Sequence, residues 1–379
     1  MSSDADLAHL GRLVVWGGLG LGLLLGIFGQ ATRFCVRGAI ADWFAYRSPA
    51  RLVSWLLAVA VGAVAVQAMI SLGLFDASRT LGWSQRLLWA SCLAGGLVFG
   101  FGMMLSGGCP QRCLVKAGAG SLKAAITLVI LAIASLMTLR GLFAGPRVAL
   151  LDSWGVALGR PQDLGSLLGG LAGLPPGLLR WAFTLALVLV VAALAWRLRT
   201  VLEKAHWIGG IAVGLLLAAA FYLSGHIGFV PEHPQTLEPA WLGTQSKRPE
   251  GLSFAAPLGH ALDLLTLWSD TATVATFGVT LAVGVLLGSF ASAKVRGEFR
   301  VETFSTPREL REHVAGALLM GFGGVTALGC SIGNGVTGLA LLSAGSVLAV
   351  AGIVLGAWLA LKWQMREGDV GKAKLAAAS

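Results

Sequence analysis

From Leu52 to Leu74 the chain runs LVSWLLAVAVGAVAVQAMISLGL without one charged residue. A stretch of roughly 20 apolar residues is the length of helix that crosses the hydrocarbon core of a bilayer. Eight further apolar segments follow the same pattern: Val14–Gln30, Leu87–Leu105, Leu122–Leu139, Leu178–Trp196, Trp207–Leu223, Ala272–Ala293, Val314–Leu328 and Val347–Leu361. Composition agrees. Of 379 residues, 56% are hydrophobic and 12% charged, against about 25% charged in soluble domains. There is too little charge to coat a globule of this size. The expected fold class is therefore all-α: a polytopic membrane protein of about nine transmembrane helices plus short re-entrant helices.

Glycine is abundant, 53 residues, as close helix contacts in lipid require. The first residues, with Asp4 and Asp6, read as a short tail before the first span and not as a cleaved signal. The net charge of +10 fits lysines and arginines facing anionic lipid heads, and no aromatic-basic patch suggests nucleic acid.

Lys and Arg bias orients the spans. The segments Thr32–Arg51, Arg197–His206, Lys294–Glu312 and the tail from Lys362 carry about twice as many cations as the opposite loops. That predicts an outer N-terminus and a cytoplasmic C-terminus. The stretch Ser224–Asp270 then reads as a long outer loop, and part of Arg147–Pro176 as a short interfacial helix.

The chain also repeats itself. Gly95–Cys109 reads GGLVFGFGMMLSGGC and Gly316–Cys330 reads GALLMGFGGVTALGC, aligned without gaps at an offset of 221. Both run on to a Gly-Ser, Gly120-Ser121 and Gly345-Ser346. With the orientation above, the copies enter from opposite faces. Residues 1–145 form a first inverted repeat, 146–200 an outer segment and connector helix, and 201–379 a second repeat containing the outer loop 224–271. Inverted repeats with a site at their interface are a transporter architecture.

Glycine and Pro110 break the helix at each repeated cysteine. Irregular backbone at membrane depth survives only when buried in protein or lining a polar cavity. Ser106–Arg112 and Thr326–Gly335 should thus be turns that meet near mid-membrane, with short helices starting at Pro110 and Ser331. Helix N-termini there favour a small anion. Thiols are weak donors comfortable in an apolar wall, so a row of them suits a polarizable, sulfur-bearing anion. The candidate binding residues are Cys35, Cys109, Cys330, Gly108, Gly329, Arg112, Gly333 and Asn334. Cys92 reads as core, and Asp42 with Arg37 as a loop pair. Cys113, one helical turn after Cys109, leaves a thiol-redox or sulfur-carrier reading open, and selenium oxyanions or soft metals are other cargoes. There is no nucleotide loop, HExxH, triad or CxxC, and His206, His226, His233, His260 and His313 lack ligand spacing. No enzyme activity, cofactor or resident metal is expected.

Arg33-Phe34-Cys35, the run Gly100–Cys109 and the run Met320–Gly335 (MGFGGVTALGCSIGNG) resemble the YeeE/YedE family, the sulfur-transport-domain membrane proteins. The resemblance covers nearly the whole chain. It implies an hourglass of nine spanning helices in a bacterial inner membrane. It also implies uptake of thiosulfate relayed along Cys35, Cys109 and Cys330; a cytoplasmic sulfurtransferase is a candidate partner that the sequence itself does not reveal. The first turn departs from the family's GCxxG pattern: Arg112 follows Gln111, and Cys113 is extra.

Overall fold

The computed structural model of the chain describes residues 4–234, 237–270 and 273–377. Among the described residues, fourteen α-helices carry the fold. In order they are α1 Asp4–Thr32, α2 Val36–Tyr46, α3 Ala50–Ser71, α4 Trp89–Leu105, α5 Pro110–Gly118, α6 Leu122–Leu139 and α7 Ala144–Leu150. Then come α8 Leu164–Ala172, α9 Pro176–Arg197, α10 Lys204–Phe221, α11 Ala255–Thr266, α12 Phe277–Val295, α13 Pro307–Thr326 and α14 Ala344–Ala377. Eight segments, holding α1, α3, α4, α6, α9, α10, α12 and α14, are long and apolar enough to cross a membrane. The ninth apolar stretch of the sequence lies in α13, whose first two turns carry Arg308, Glu309, Arg311 and Glu312. That charge keeps α13 off a purely hydropathic count, yet it packs lengthwise on α4 and α6.

Two expectations are corrected. The segment Thr32–Arg51 is not a loop, because Cys35 caps α2 within it. The stretch Ser224–Asp270 is not one long loop either. It starts in a wide π-turn, Tyr222–Ile227, and ends in α11, which packs on α6 and α12. The expected all-α class holds, with two minimal ladders beside the helices: β1 Arg86–Leu87 pairs antiparallel with β2 Val156–Ala157, and β3 Phe229–Val230 with β4 Ala240–Trp241. Both ladders join loops, and the core stays helical. The short helix expected within Arg147–Pro176 is α8, opened by Asp163, whose carboxylate accepts from the Ser166 N–H at 2.9 Å.

Glycine sets how the helices cross. A Cβ on Gly22 or Gly26 of α1 would run into the Leu281 or Val285 carbonyl of α12, and one on Gly284 or Gly288 into the Leu19 or Leu23 carbonyl. On α4, Gly96 and Gly100 meet the Ala349 and Ile353 carbonyls of α14, and Gly352 and Gly356 answer from the other side. These are reciprocal small-xxx-small crossings, the contact by which helices pack when lipid supplies no hydrophobic drive. The residue order shows α1 parallel to α12 and α4 parallel to α14. Gly210 and Gly214 bring α10 parallel against α3 in the same way, at Ser54 and Ala58. By contrast α4 and α13 are antiparallel: Gly95 lies against Ala327, Gly102 against Gly316. The helices α1 and α10 also oppose each other, Gly17 near Leu223 and Gly209 near Thr32. The partners of α1, α3, α4 and α6 are thus α12, α10, α14 and α13.

Candidate functional site

Three helices end, reverse and restart at a cysteine. After α1, Arg33 takes a left-handed conformation (φ 55°); after α4, Gly107 does (φ 67°); after α13, Leu328 does (φ 59°). Each lies two residues before a cysteine: Cys35, Cys109 and Cys330. A left-handed residue is the usual way a helix stops and its chain turns away. The cysteine then starts the next helical segment. The Gly38 N–H donates to Cys35 Sγ at 3.3 Å and the Gly333 N–H to Cys330 Sγ at 3.4 Å. Cys109 holds the same N-cap position at α5, with Pro110 in the first helical turn, though it closes no such bond. Each thiol therefore stands at the amino end of a short helix, where the backbone amides favour negative charge. The segment after Cys330 differs from expectation. Gly333–Gly338 is a π-helix, with the Thr337 N–H reaching back to Ile332, and the cap is the cysteine and not Ser331.

Each turn is held by side chains close to it in sequence. In the first, Lys116 Nζ donates to the Gly107 carbonyl at 2.8 Å and Arg112 Nη1 to Gly29 at 3.2 Å. In the second, Asn334 Nδ2 donates to Ala327 at 2.9 Å and Gly329 at 2.8 Å, while its Oδ1 accepts from the Ser346 hydroxyl. Trp55 on α3 donates to the Gly335 carbonyl at 2.8 Å. Space is scarce at both: a Cβ on Gly108 would press on Cys113 Sγ, one on Gly329 on the Asn334 amide, one on Gly333 on Ser253.

Two cavities approach the turns. One, of about 430 Å³, is walled mostly by apolar groups and ends at Gly329, Gly333 and Asn334, around Cys330. The other, of about 610 Å³, is basic. Arg33, Arg37, Arg51, Arg112, Lys116 and Arg300 line it beside Cys35 and Gly107, with Glu298 and Glu302 opposing. At its rim the Glu298 carboxyl is held below its ordinary range, first by the Gln30 amide at 2.8 Å and then by Arg296 and Arg33. Between the cavities lies a buried layer. Cys109 and Cys330 are fully covered, Cys113 nearly so, while Cys35 is half-buried in the basic cavity. Cys109 lies close to Cys35 and Cys330, and the Ser331 hydroxyl is within hydrogen-bonding reach of its thiol. The structure thus brings together seven of the eight sequence-chosen residues closely around two turns, and adds Cys35 from the end of α1.

Some details differ from the sequence reading. Asp42 pairs with Arg51 at 3.2 Å, and Arg37 instead lines the basic cavity with a buried Nε that has no partner. Cys92 is buried against Ala327 and Ala349 and also borders the apolar cavity. All five cysteines are free, and among the described residues no group of three or more His, Cys, Asp or Glu could hold a metal ion. Sequence reasoning passed over two residues, both 1% exposed: Gln111, whose amide has no hydrogen-bond partner, and Ser331, whose hydroxyl has no nitrogen or oxygen partner and meets the Cys109 thiol. Their place directly after the two cysteines was the available signal.

Two opposed cavities, a thin buried layer and thiols at helix ends suit the passage of a small soft anion. Comparison with known proteins agrees. The chain is 27% identical to the thiosulfate transporter TsuA of Escherichia coli (strain K12), covering 97% of this chain and 99% of that one. It is 25% identical to TsuA of Spirochaeta thermophila, over 91% and 97%. The sulphur transport family model matches residues 31–359, nearly the full run from Arg33 through the second turn to α14, and the chain belongs to that family.

Proposed function

We propose that the protein carries thiosulfate into a bacterial cell across the inner membrane, passing it from Cys330 to Cys109 to Cys35. The carrying observation is the shared geometry of the three thiols, each at the start of a short helical segment, set between an apolar cavity and a basic one. An unpaired anion in low dielectric is very costly. Amide-rich helix ends offset part of that cost, while a thiol donates too weakly to hold the ion in place. The basic cavity, with six cations, draws the ion off the last thiol. Cys113 and Arg112 are part of the frame of this path: Arg112 ties α5 to α1.

The reciprocal helix pairs support reading residues 1–145 and 201–379 as two inverted repeats joined by α9. Positive charge around Arg33, Arg47, Arg51 and Arg300 supports placing the basic cavity, and the C-terminus, on the cytoplasmic side. A cytoplasmic sulfurtransferase would receive the cargo there.

Uptake of ³⁵S-thiosulfate into proteoliposomes tests the path. Cys109→Ala and Cys330→Ala are expected to lower the rate at least about tenfold, which corresponds to about 1.4 kcal/mol on the barrier. Wild-type rates in both variants would overturn the relay. Loss on Cys113→Ala alone, with Cys330→Ala active, would favour the thiol-redox reading.

A further inference from the structure

A buried polar group without a partner costs about 1–3 kcal/mol, and native structures rarely leave one without a reason. Gln111 leaves both amide atoms, Nε2 and Oε1, unpaired at 1% exposure, and the Ser331 hydroxyl, also at 1%, has no nitrogen or oxygen partner. Gln111 is the second residue of α5 and follows Cys109 by two; Ser331 follows Cys330 directly. The Ser331 hydroxyl is next to the Cys109 thiol. The Gln111 amide lies against Gly29 of α1, where the missing Cβ leaves it room, on the side from which Arg33 and Cys35 enter the basic cavity. The Gln111 amide, with nothing to bind, and the Ser331 hydroxyl, with only a thiol to meet, therefore both lie within two residues of a buried cysteine.

We infer that Gln111 and Ser331 bind the oxygen end of the transported anion during its passage. The cargo class has two chemically distinct ends, a soft terminal sulfur and a hard oxyanion. Thiols match the first. Amide N–H and hydroxyl O–H groups are stronger donors and match the second. Together they recognise an anion that carries both, and the ion supplies the partners the two side chains lack. This rests on the anion-transport reading proposed above.

The inference makes stability and transport move in opposite directions. Gln111→Met and Ser331→Ala each remove an orphaned group with little change of volume. In detergent without thiosulfate, both variants should melt at or above the wild-type temperature. Added thiosulfate should raise the wild-type Tm, as any ligand bound to the folded state does, and raise that of the variants much less. ³⁵S-thiosulfate uptake should show a KM raised about tenfold, and Ser331→Thr, which keeps the hydroxyl, should restore it. A Tm that falls in step with uptake would make both residues structural and overturn the inference. So would a wild-type KM and full thiosulfate shift in Ser331→Ala, a change of one atom that keeps the fold. If these two variants transport normally while Cys109→Ala does not, this inference fails and the relay stands. If neither set matters, the transport path itself is wrong.

Discussion

Leu328 holds a left-handed backbone that costs a residue with a Cβ roughly 1–2 kcal/mol. At the matching place in the first turn stands Gly107, which pays nothing for it. Leu328→Gly is therefore expected to keep uptake and to hold or raise the Tm, within about 1 kcal/mol; a marked loss of Tm would show that the leucine side chain is needed where it borders the apolar cavity. Glu250, in the wall of that cavity, takes both the N–H and the hydroxyl of Ser246 on one oxygen, at 2.8 and 2.7 Å. Burial raises its affinity for a proton above that of an ordinary carboxyl, the Ser246 bonds opposing. The folded state then binds the proton more tightly than the unfolded one. That stability is complete below the usual carboxylate range and is lost as pH climbs through the folded-state value. Melting curves from pH 4 to 8 should show Glu250→Gln with a flatter upper limb than wild type. An unchanged profile would mean the group carries no linked proton. At this scale the cysteines were legible, because Gly-Cys recurs at one spacing. The left-handed Leu328 and the orphaned Gln111 were not: a leucine gives no local sign of positive φ, and a missing hydrogen bond exists only once neighbouring helices are in place.

Elements show the same division. Each of the nine apolar segments lies mostly in a helix, with α6 matching its segment end for end and Ala272 lying outside the described residues, since a long uncharged run in lipid has one way to satisfy its backbone. The helices α2 and α11 escaped notice because they are short and mix charge with apolar residues, as in VRGAIADWFAY. The π-helix after Cys330 escaped too, being set by three glycines, Gly333, Gly335 and Gly338, and by the Trp55 bond. Glycine abundance pointed to close crossings without saying which faces meet. The crossings make a sharp test. Gly288→Leu would force a side chain onto the Leu23 carbonyl and split α1 from α12, costing about 1–3 kcal/mol or more. Gly20→Leu, on the same helix pair but in open space, should leave the Tm within a degree or two. Equal losses in both would mean that the α1–α12 contact is not what glycine serves.

Across the whole molecule, α1 with α12, α3 with α10 and α4 with α14 run parallel, while α4 against α13 and α1 against α10 run antiparallel. Charge bias predicts opposite faces for the two ends of the chain, because lysine and arginine on the translocated side are disfavoured. What it could not show is that the apolar and basic cavities stop short of each other. Sided labelling follows from this. In inside-out vesicles, an anionic methanethiosulfonate reagent should modify Cys35 fastest of the five cysteines, since only that thiol is half-exposed in a cationic cavity. Thiosulfate should protect it. Faster labelling in right-side-out vesicles would reverse the orientation.

Both re-entrant segments are fastened where they rejoin a spanning helix. Ser121 bridges to Glu302 at the start of α6, with the Leu122 N–H on the Glu302 carbonyl at 2.8 Å, and Ser343 bridges to Asp163 at the start of α14. Asp163 is itself locked by Arg180 at 2.8 Å, and that guanidinium stacks on Trp83. Moorings of this kind favour a stationary sieve over two halves that swing around a central ion; throughput is then expected to climb gently with temperature, more like a filter than a revolving door, and a steep temperature dependence would count against it.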